Sequence, residues 1–299
     1  MGKQKKHVYS SSDDSSSDSS SSDSGSSSSE DDEKGKGEET KRHEQENKSY
    51  TPEQILRLVG PKIPLYKILR EGKKNLQNDT NEQRNGVTYG LFGSSGCGKT
   101  SLIANVMLDK LYPPDGNTVT TVFTESIHSN ALQKITTHKE IVVDSAGLDP
   151  DIYAWMYQMN YEHDKKFNFV VAMDDVITIK QVPIILKAFL TYRNMNITSI
   201  VSLQYLKLCP LSVRTSIYFI FIMAANSAES SEQYVRAYLN PFLPPVSMQE
   251  KIILFDRLTK DHNFFLLDNL NRKCYFVRGG DENNYFSQEV VPFITAMGV

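Results

Sequence analysis

Residues Gly93-Ser94-Ser95-Gly96-Cys97-Gly98-Lys99-Thr100 put four residues between Gly93 and Gly98, followed directly by a lysine and a hydroxyl. That spacing suits the binding of a polyphosphate. Gly93, Gly96 and Gly98 let backbone amides approach phosphate oxygens with no Cβ in the way. The amides of Ser94, Ser95 and Cys97 complete the cradle, and Ser101 opens the helix behind it. Lys99 is expected to reach the β- and γ-phosphates, and Thr100 to ligate Mg²⁺. Cys97 fills a variable position in which only the backbone matters. The segment predicts a nucleoside triphosphate site.

A second acidic element supports it. Phe167 to Met173 is an apolar run ending in Asp174 and Asp175. The first acid suits a magnesium ion held through its water shell, and the second can orient or deprotonate an attacking water. A further apolar run, Ile197 to Leu203, ends in Gln204, whose amide could sense a γ-phosphate beside the acids. Arg193, ahead of that run, and Arg214, after it, are candidates for an arginine supplied to a neighbouring subunit's site. Asp144-Ser145-Ala146-Gly147 offers a competing reading as the D-x-x-G switch of a GTP-binding protein. No N-K-x-D guanine-reading sequence accompanies it, so adenine is the expected base.

These side chains need a scaffold that brings strand ends together. Val87–Phe92 reads as a buried strand before the glycine loop, and Ser101–Leu108 as a helix after it. Strands are predicted at 120–124, 139–144, 167–173, 197–203 and 216–223, with a hairpin of 263–268 and 273–277. Helices are predicted at 151–161, 182–192 and 230–239. Thr51 is expected to cap a helix with Pro52 in its first turn and Gln54 closing a capping box, its apolar face running to Val59. Residues 71–86 read as a loop. Strands alternating with helices, with the glycine loop between the first buried strand and its helix, predict an α/β P-loop NTPase fold with a mostly parallel sheet covered on both faces.

Composition divides the 299 residues at about position 50. Residues 1–50 hold 8 Lys and Arg against 12 Asp and Glu, so they carry −4 and the rest carries +1 of the chain's −3. Met1–Ser49, rich in Ser, Asp and Glu, has too little apolar surface to offset ordering entropy and is predicted to be disordered. Residues 50–299 are then one P-loop domain. Repeated S-x-x-[DE] spacings, such as Ser11/Asp14 and Ser20/Asp23, suit acid-directed phosphorylation. The near-neutral domain rules out nucleic-acid binding driven by bulk charge and leaves only a local basic patch. Three scattered cysteines make no disulfide framework or metal spacing, which suits a reducing compartment. No leader pattern opens the chain. The longest apolar run, Ile217–Ala225, is too short to span a bilayer, so a soluble, intracellular protein is expected.

Together, Gly93–Thr100, Val170–Asp175, Arg193-Asn194 before Ile197–Gln204, and Pro210 to Arg214-Thr-Ser resemble the FtsK-HerA superfamily. Within it they are most similar to the vaccinia-type DNA-packaging ATPases of large double-stranded DNA viruses and virophages. Phe255–Asp268 resembles a late segment of the same branch, and the resemblance runs from Val87 to Val277. It implies a RecA-like (ASCE) core, an ATPase with Mg²⁺, a homo-oligomeric ring, double-stranded DNA and a capsid or vertex protein as partners, and a role in virion assembly. The place of action would be the host cytoplasm, a virus factory or the virion. Carried residue by residue, Lys99 and Thr100 bind phosphate and metal, Asp174 and Asp175 serve metal and water, Gln204 senses the γ-phosphate, and Arg193 or Arg214 acts in trans. The chain departs from the pattern in Asp rather than Glu at 175, Asn194 in place of His, and its acidic tail.

Because a segment of this composition makes few contacts, a chain starting at Ser49 should melt within about a degree or two of the full chain. Differential scanning calorimetry of the two measures this, and a large drop would mean that the tail packs.

Overall fold

The alternation of apolar runs and helices condenses into one ten-stranded sheet. The computed structural model describes residues 50–77, 85–113, 116–125, 128–135, 141–144, 150–175, 182–280 and 284–293. The tail expectation and Ser145–Gly147 lie outside them. The strands are β1 (Leu58–Pro64), β2 (Thr88–Phe92), β3 (Thr118–Thr124), β4 (Ile141–Asp144), β5 (Asn168–Asp174), β6 (Ile197–Leu203), β7 (Phe219–Ile222), β8 (Phe264–Asp268), β9 (Lys273–Gly279) and β10 (Tyr285–Val290). Their order is β1-β10-β9-β8-β7-β2-β6-β5-β3-β4. From β7 to β4 every pairing is parallel, and from β7 to β1 every pairing is antiparallel.

Both faces of the parallel half are dry. On β5, Val171 and Met173 join one apolar cluster while Val170 and Ala172 join the other. Strand residues alternate between faces, so a strand buried on both sides reads as a continuous apolar run. One face is covered by helices Pro150–Glu162, Val182–Leu190 and Met248–Leu258, the other by Leu65–Gln77 and the helix after the glycine loop. That helix is α-helical only over Lys99–Leu102 and widens to π-helical turns over Ile103–Leu111. At its end the Tyr112 amide donates to the Met107 carbonyl, five residues back, at 2.8 Å.

The N-terminal segment differs from expectation. The Thr51 amide does donate to Gln54 Oε1, at 2.8 Å, but the helix stops at Ile55. Leu58–Pro64 is strand β1, paired only with β10 and bulged between Val59 and Ile63. Gly60, Pro61 and Pro64 discourage a strand reading, yet an edge strand tolerates proline because its outer N–H positions need no ladder partner. Residues 71–77, expected in a loop, finish the helix Leu65–Gln77, which buries Leu65, Ile68, Leu69 and Gly72. Gly72 lies so close to the Phe219 ring that a Cβ has no room.

One buried amide ties the functional strands together. Asn160, fully buried on helix Pro150–Glu162, donates to the carbonyls of Phe167 (3.0 Å) and Met195 (2.6 Å) and accepts from the Phe167 amide (3.0 Å). It anchors the starts of β5 and β6 at once. Asn160→Ala would strand the Met195 carbonyl and the Phe167 amide at roughly 1–3 kcal/mol each, while the Phe167 carbonyl keeps its bond from Asn196 Nδ2 (2.8 Å), so urea unfolding should show a loss of about 2 kcal/mol or more. A loss below about 1 kcal/mol would mean that water replaces the amide.

Candidate functional site

The parallel strands end level with one another, and the polar residues follow at that edge. Phe92 of β2 is in register with Leu203 of β6 and Ile222 of β7, and Asp174 of β5 with Ser202 of β6. Gly93, Asp175, Gln204 and Met223 therefore each stand one step past a strand end. The ladder runs on into the turn. The Gly93 amide donates to Leu203 (3.1 Å), Asp175 to Ser202 (3.2 Å) and Met223 to Phe92 (2.8 Å).

The glycine loop is shaped by its close neighbours. A Cβ on Gly93 would lie 2.7 Å from Cys97 Sγ and 2.8 Å from the Met223 Cβ, and Gly98 adopts φ +100. Neither position accepts a side chain without strain. Inside the loop, the Lys99 ammonium is only 4% exposed and donates to the carbonyls of Gly93 and Ser94, each at 3.0 Å. It also pairs with Asp175 Oδ2 at 3.2 Å. Thr100 Oγ1 donates to Asp174 Oδ2 at 2.6 Å, which joins the loop to β5.

The remaining acceptor capacity points to a cation. Asp174 Oδ1 and Ser202 Oγ are both buried and have no hydrogen-bond partner. With the Thr100 hydroxyl they make an all-oxygen set, which is what Mg²⁺ prefers when phosphates and waters supply its other ligands. The residues fit the ion. Ser202 is a polar residue inside an apolar strand, and its in-register position beside Asp174 could be known only after strand pairing.

Asp175 and Gln204 meet as the order of motifs suggested. Gln204 Nε2 donates to Asp175 Oδ2 at 3.3 Å, and the Asp175 side chain is 33% exposed. Burial raises the Asp175 pKa; the Lys99 ammonium opposes the rise and Asp174 adds to it. Asp175 also sits at φ +56, a left-handed conformation that aspartate enters more readily than most residues. Tyr234, buried under helix Met248–Leu258, donates its hydroxyl to the Gln204 carbonyl at 3.1 Å and so holds this corner from below. Nothing in the local sequence marks Tyr234 for that contact.

The arginines stand elsewhere. Arg193 lies at the opposite end of β6 from Gln204, and a seven-residue strand separates them by about 20 Å. Its Nη1 donates to the Tyr218 hydroxyl at 3.2 Å within the same chain. Arg214 is in the last turn of helix Leu211–Ser216, against Cys209 and Tyr238, with Nε buried and unpartnered. Neither is brought to the phosphate loop of its own chain. Asp144 ends β4 at the sheet edge, four strand spacings from β2, or about 19 Å. In strand order β4 is thus separated from the phosphate-loop strand by β3, β5 and β6.

No family profile and no curated protein matches the chain in sequence. Solved structures do resemble it. The DNA-packaging ATPase B204 of Sulfolobus turreted icosahedral virus is 15% identical, with 64% of this chain and 97% of that one covered at a TM-score of 0.46. B204 of Sulfolobus turreted icosahedral virus 2, solved with AMPPCP, is 15% identical over 66% of this chain and 98% of that one, with a TM-score of 0.43. ATPases 2 and 3 of Thermomonospora curvata EccC are 11% identical over 70% of this chain and 37% of that one, with a TM-score of 0.39. The fold of this chain is that of a P-loop NTPase on its own strand order, with β6 between the phosphate-loop strand and the acidic strand.

Cys97 belongs to this site but is not poised for reaction. It is buried against Met223 Sδ at 3.9 Å, and burial pushes its thiol pKa up in spite of Lys99. Cys209 is pushed up to about 12, and burial also raises Cys274. Native protein at near-neutral pH should therefore take up iodoacetamide at least about tenfold more slowly than a free thiol, with full labelling after denaturation. Mass spectrometry reads both, and fast labelling of native Cys97 would contradict its burial.

Proposed function

We propose that the chain is an ATP-hydrolysing motor that translocates double-stranded DNA as a homo-oligomeric ring, in its narrowest form packaging a viral genome into a capsid. The observation that carries the hydrolytic part is the joining of Thr100 to Asp174 and of Gln204 to Asp175 at the end of adjacent strands. In this reading Gly93–Ser101 bind the triphosphate, and Lys99 exchanges its Asp175 contact for phosphate oxygens. Thr100 and Asp174 hold Mg²⁺, which supplies positive charge to the phosphate oxygens when bound. Asp175 positions the attacking water and takes its proton, while Gln204 stays hydrogen-bonded to that acid and reports the γ-phosphate to Tyr234 and the helices beneath.

Support for the motor comes from the motif resemblance and from the similar solved structures, of which B204 is described as a DNA-packaging ATPase. Support for the ring comes from the surface beside Gln204. Tyr205 is 54% and Leu211 66% exposed, although each follows a buried strand end or opens a packed helix. Arg214, on the helix that Leu211 begins, is the better-placed arginine for a neighbour's site, with Arg193 second. An adenine nucleotide remains the preferred substrate, and soluble host cytoplasm, virus factory or virion the place of action.

Steady-state turnover with and without duplex DNA tests the proposal. Duplex DNA should raise ATP turnover in the native protein. Lys99→Ala should lose both binding and hydrolysis, whereas Asp175→Asn should keep ATP binding and lose ~10²–10⁴-fold in turnover. The raised Asp175 pKa has a definite sign: the group stays protonated up to a higher pH than an exposed aspartate, so the acid limb of the rate profile should lie above the ordinary aspartate range. Native-rate hydrolysis by Asp175→Asn would displace the assigned base, and turnover indifferent to DNA would sink the motor.

A further inference from the structure

A triphosphate laid along the loop has two ends, and only one has been given surroundings. The γ end faces Asp174, Asp175 and Gln204, on the β5 and β6 side of β2. The other end must leave across Gly98 and Ser101, on the side of β7 and the antiparallel strands. A cleft of about 320 Å³ opens there, bounded by Gly98, Ser101, Asp261, His262, Gly279 and Tyr285. That size falls in the small-molecule range of roughly 300–1,000 Å³.

The far wall of this cleft is an unusual turn. Asp261 and His262 are consecutive non-glycine residues at φ +55 and φ +59. Such backbone persists only where its surroundings hold it, and here they do. The Asn263 amide donates to the Lys260 carbonyl at 3.1 Å, and Asn263 Oδ1 accepts from the Gly279 amide at 3.2 Å. His262 Nδ1 stands 3.3 Å from the Cys97 carbonyl of the phosphate loop itself. The turn therefore bridges the end of β9 and the outside of the loop, and both Asp261 and His262 are exposed residues that line the cleft.

We propose that this cleft is the nucleoside subsite, taking a ribonucleoside whose triphosphate lies on Gly93–Ser101, and that the Asp261–His262 turn holds it. The inference rests on the triphosphate reading above. An exposed carboxylate accepts hydrogen bonds and offers none, so Asp261 suits the vicinal hydroxyls of a ribose. The bare Cα of Gly279 lets the Asp261–His262 backbone pack against the end of β9, where a Cβ would lie 3.3 Å from the Asp261 carbonyl, and Tyr285 offers an aromatic side chain to the base from the same wall. The antiparallel half of the sheet then does more than extend the fold: it supplies the part of the site that distinguishes a nucleotide from a bare polyphosphate.

Asp261→Asn and His262→Asn test this with little risk to the turn, because asparagine tolerates positive φ. Isothermal titration with ATP and with inorganic tripolyphosphate, both with Mg²⁺, separates the two halves of the site. The native protein should bind ATP more tightly than tripolyphosphate. Each variant should weaken ATP ~10-fold, the loss expected of a charge-assisted contact, and leave tripolyphosphate unchanged. Equal weakening of both ligands would mean that the turn only shapes the phosphate loop and would overturn the subsite, as would no change in either. Native protein that binds the two ligands equally well would also overturn it while leaving the phosphate site standing. Native protein that binds neither would overturn the triphosphate reading and the subsite together.

Discussion

The Lys99 ammonium is a full positive charge held almost out of water, and the rest of the site is arranged around that fact. An unpaired buried charge costs several kcal/mol, so each of its donors must meet an acceptor. Two are loop carbonyls, from Gly93 and Ser94, and the third is the Asp175 carboxylate. The carbonyls can reach it only because the loop folds tightly back on itself, which in turn needs a bare Cα at Gly93 beside Cys97 and Met223. Asp175 can reach it only from a left-handed backbone position at the end of β5. Aspartate suits that place better than a longer acid, since it enters the conformation readily and its short side chain stays in range.

The same constraint explains why the sheet is buried on both faces. Lys99 and Asp174 are almost wholly buried where the π-widened helix behind the loop meets the end of β5. In that setting electrostatic contacts are stronger than they would be at a surface. It also explains the raised Asp175 pKa: the edge of the dry region is where a carboxylate loses hydration without losing access to solvent. The candidate constellation and the packing of the core are therefore one problem. Removing Asn160, about a strand's length away, would loosen the starts of the two strands whose ends carry Asp174 and Gln204.

The antiparallel extension, β8 to β10 and β1, is the part of the molecule whose purpose was least visible from motifs. It lengthens the sheet beyond β7 and lays its turns against the outer side of the phosphate loop. In a parallel sheet alone, strand ends present one edge to a ligand. The added hairpins bring a second wall to the same edge.

Much of this was readable from residue types. The phosphate loop, the acidic pair, the glutamine and their order along the chain follow from local chemistry. Buried parallel strands are apolar throughout and announce themselves, so β2, β5 and β6 were legible within a residue or two. Elements whose signal is weak or contradictory were not: β1 contains glycine and prolines, and the helix Leu65–Gln77 carries a glycine and several lysines on its polar face. What tertiary structure alone decided is which strands lie side by side. Strand order brings Ser202 into register with Asp174, puts Gln204 against Asp175, sends Asp144 to the far edge and leaves Arg193 at the end of β6 opposite Gln204. Local sequence determines what each strand is; neighbours are chosen by the burial of two faces across the whole sheet, and no single segment contains that information.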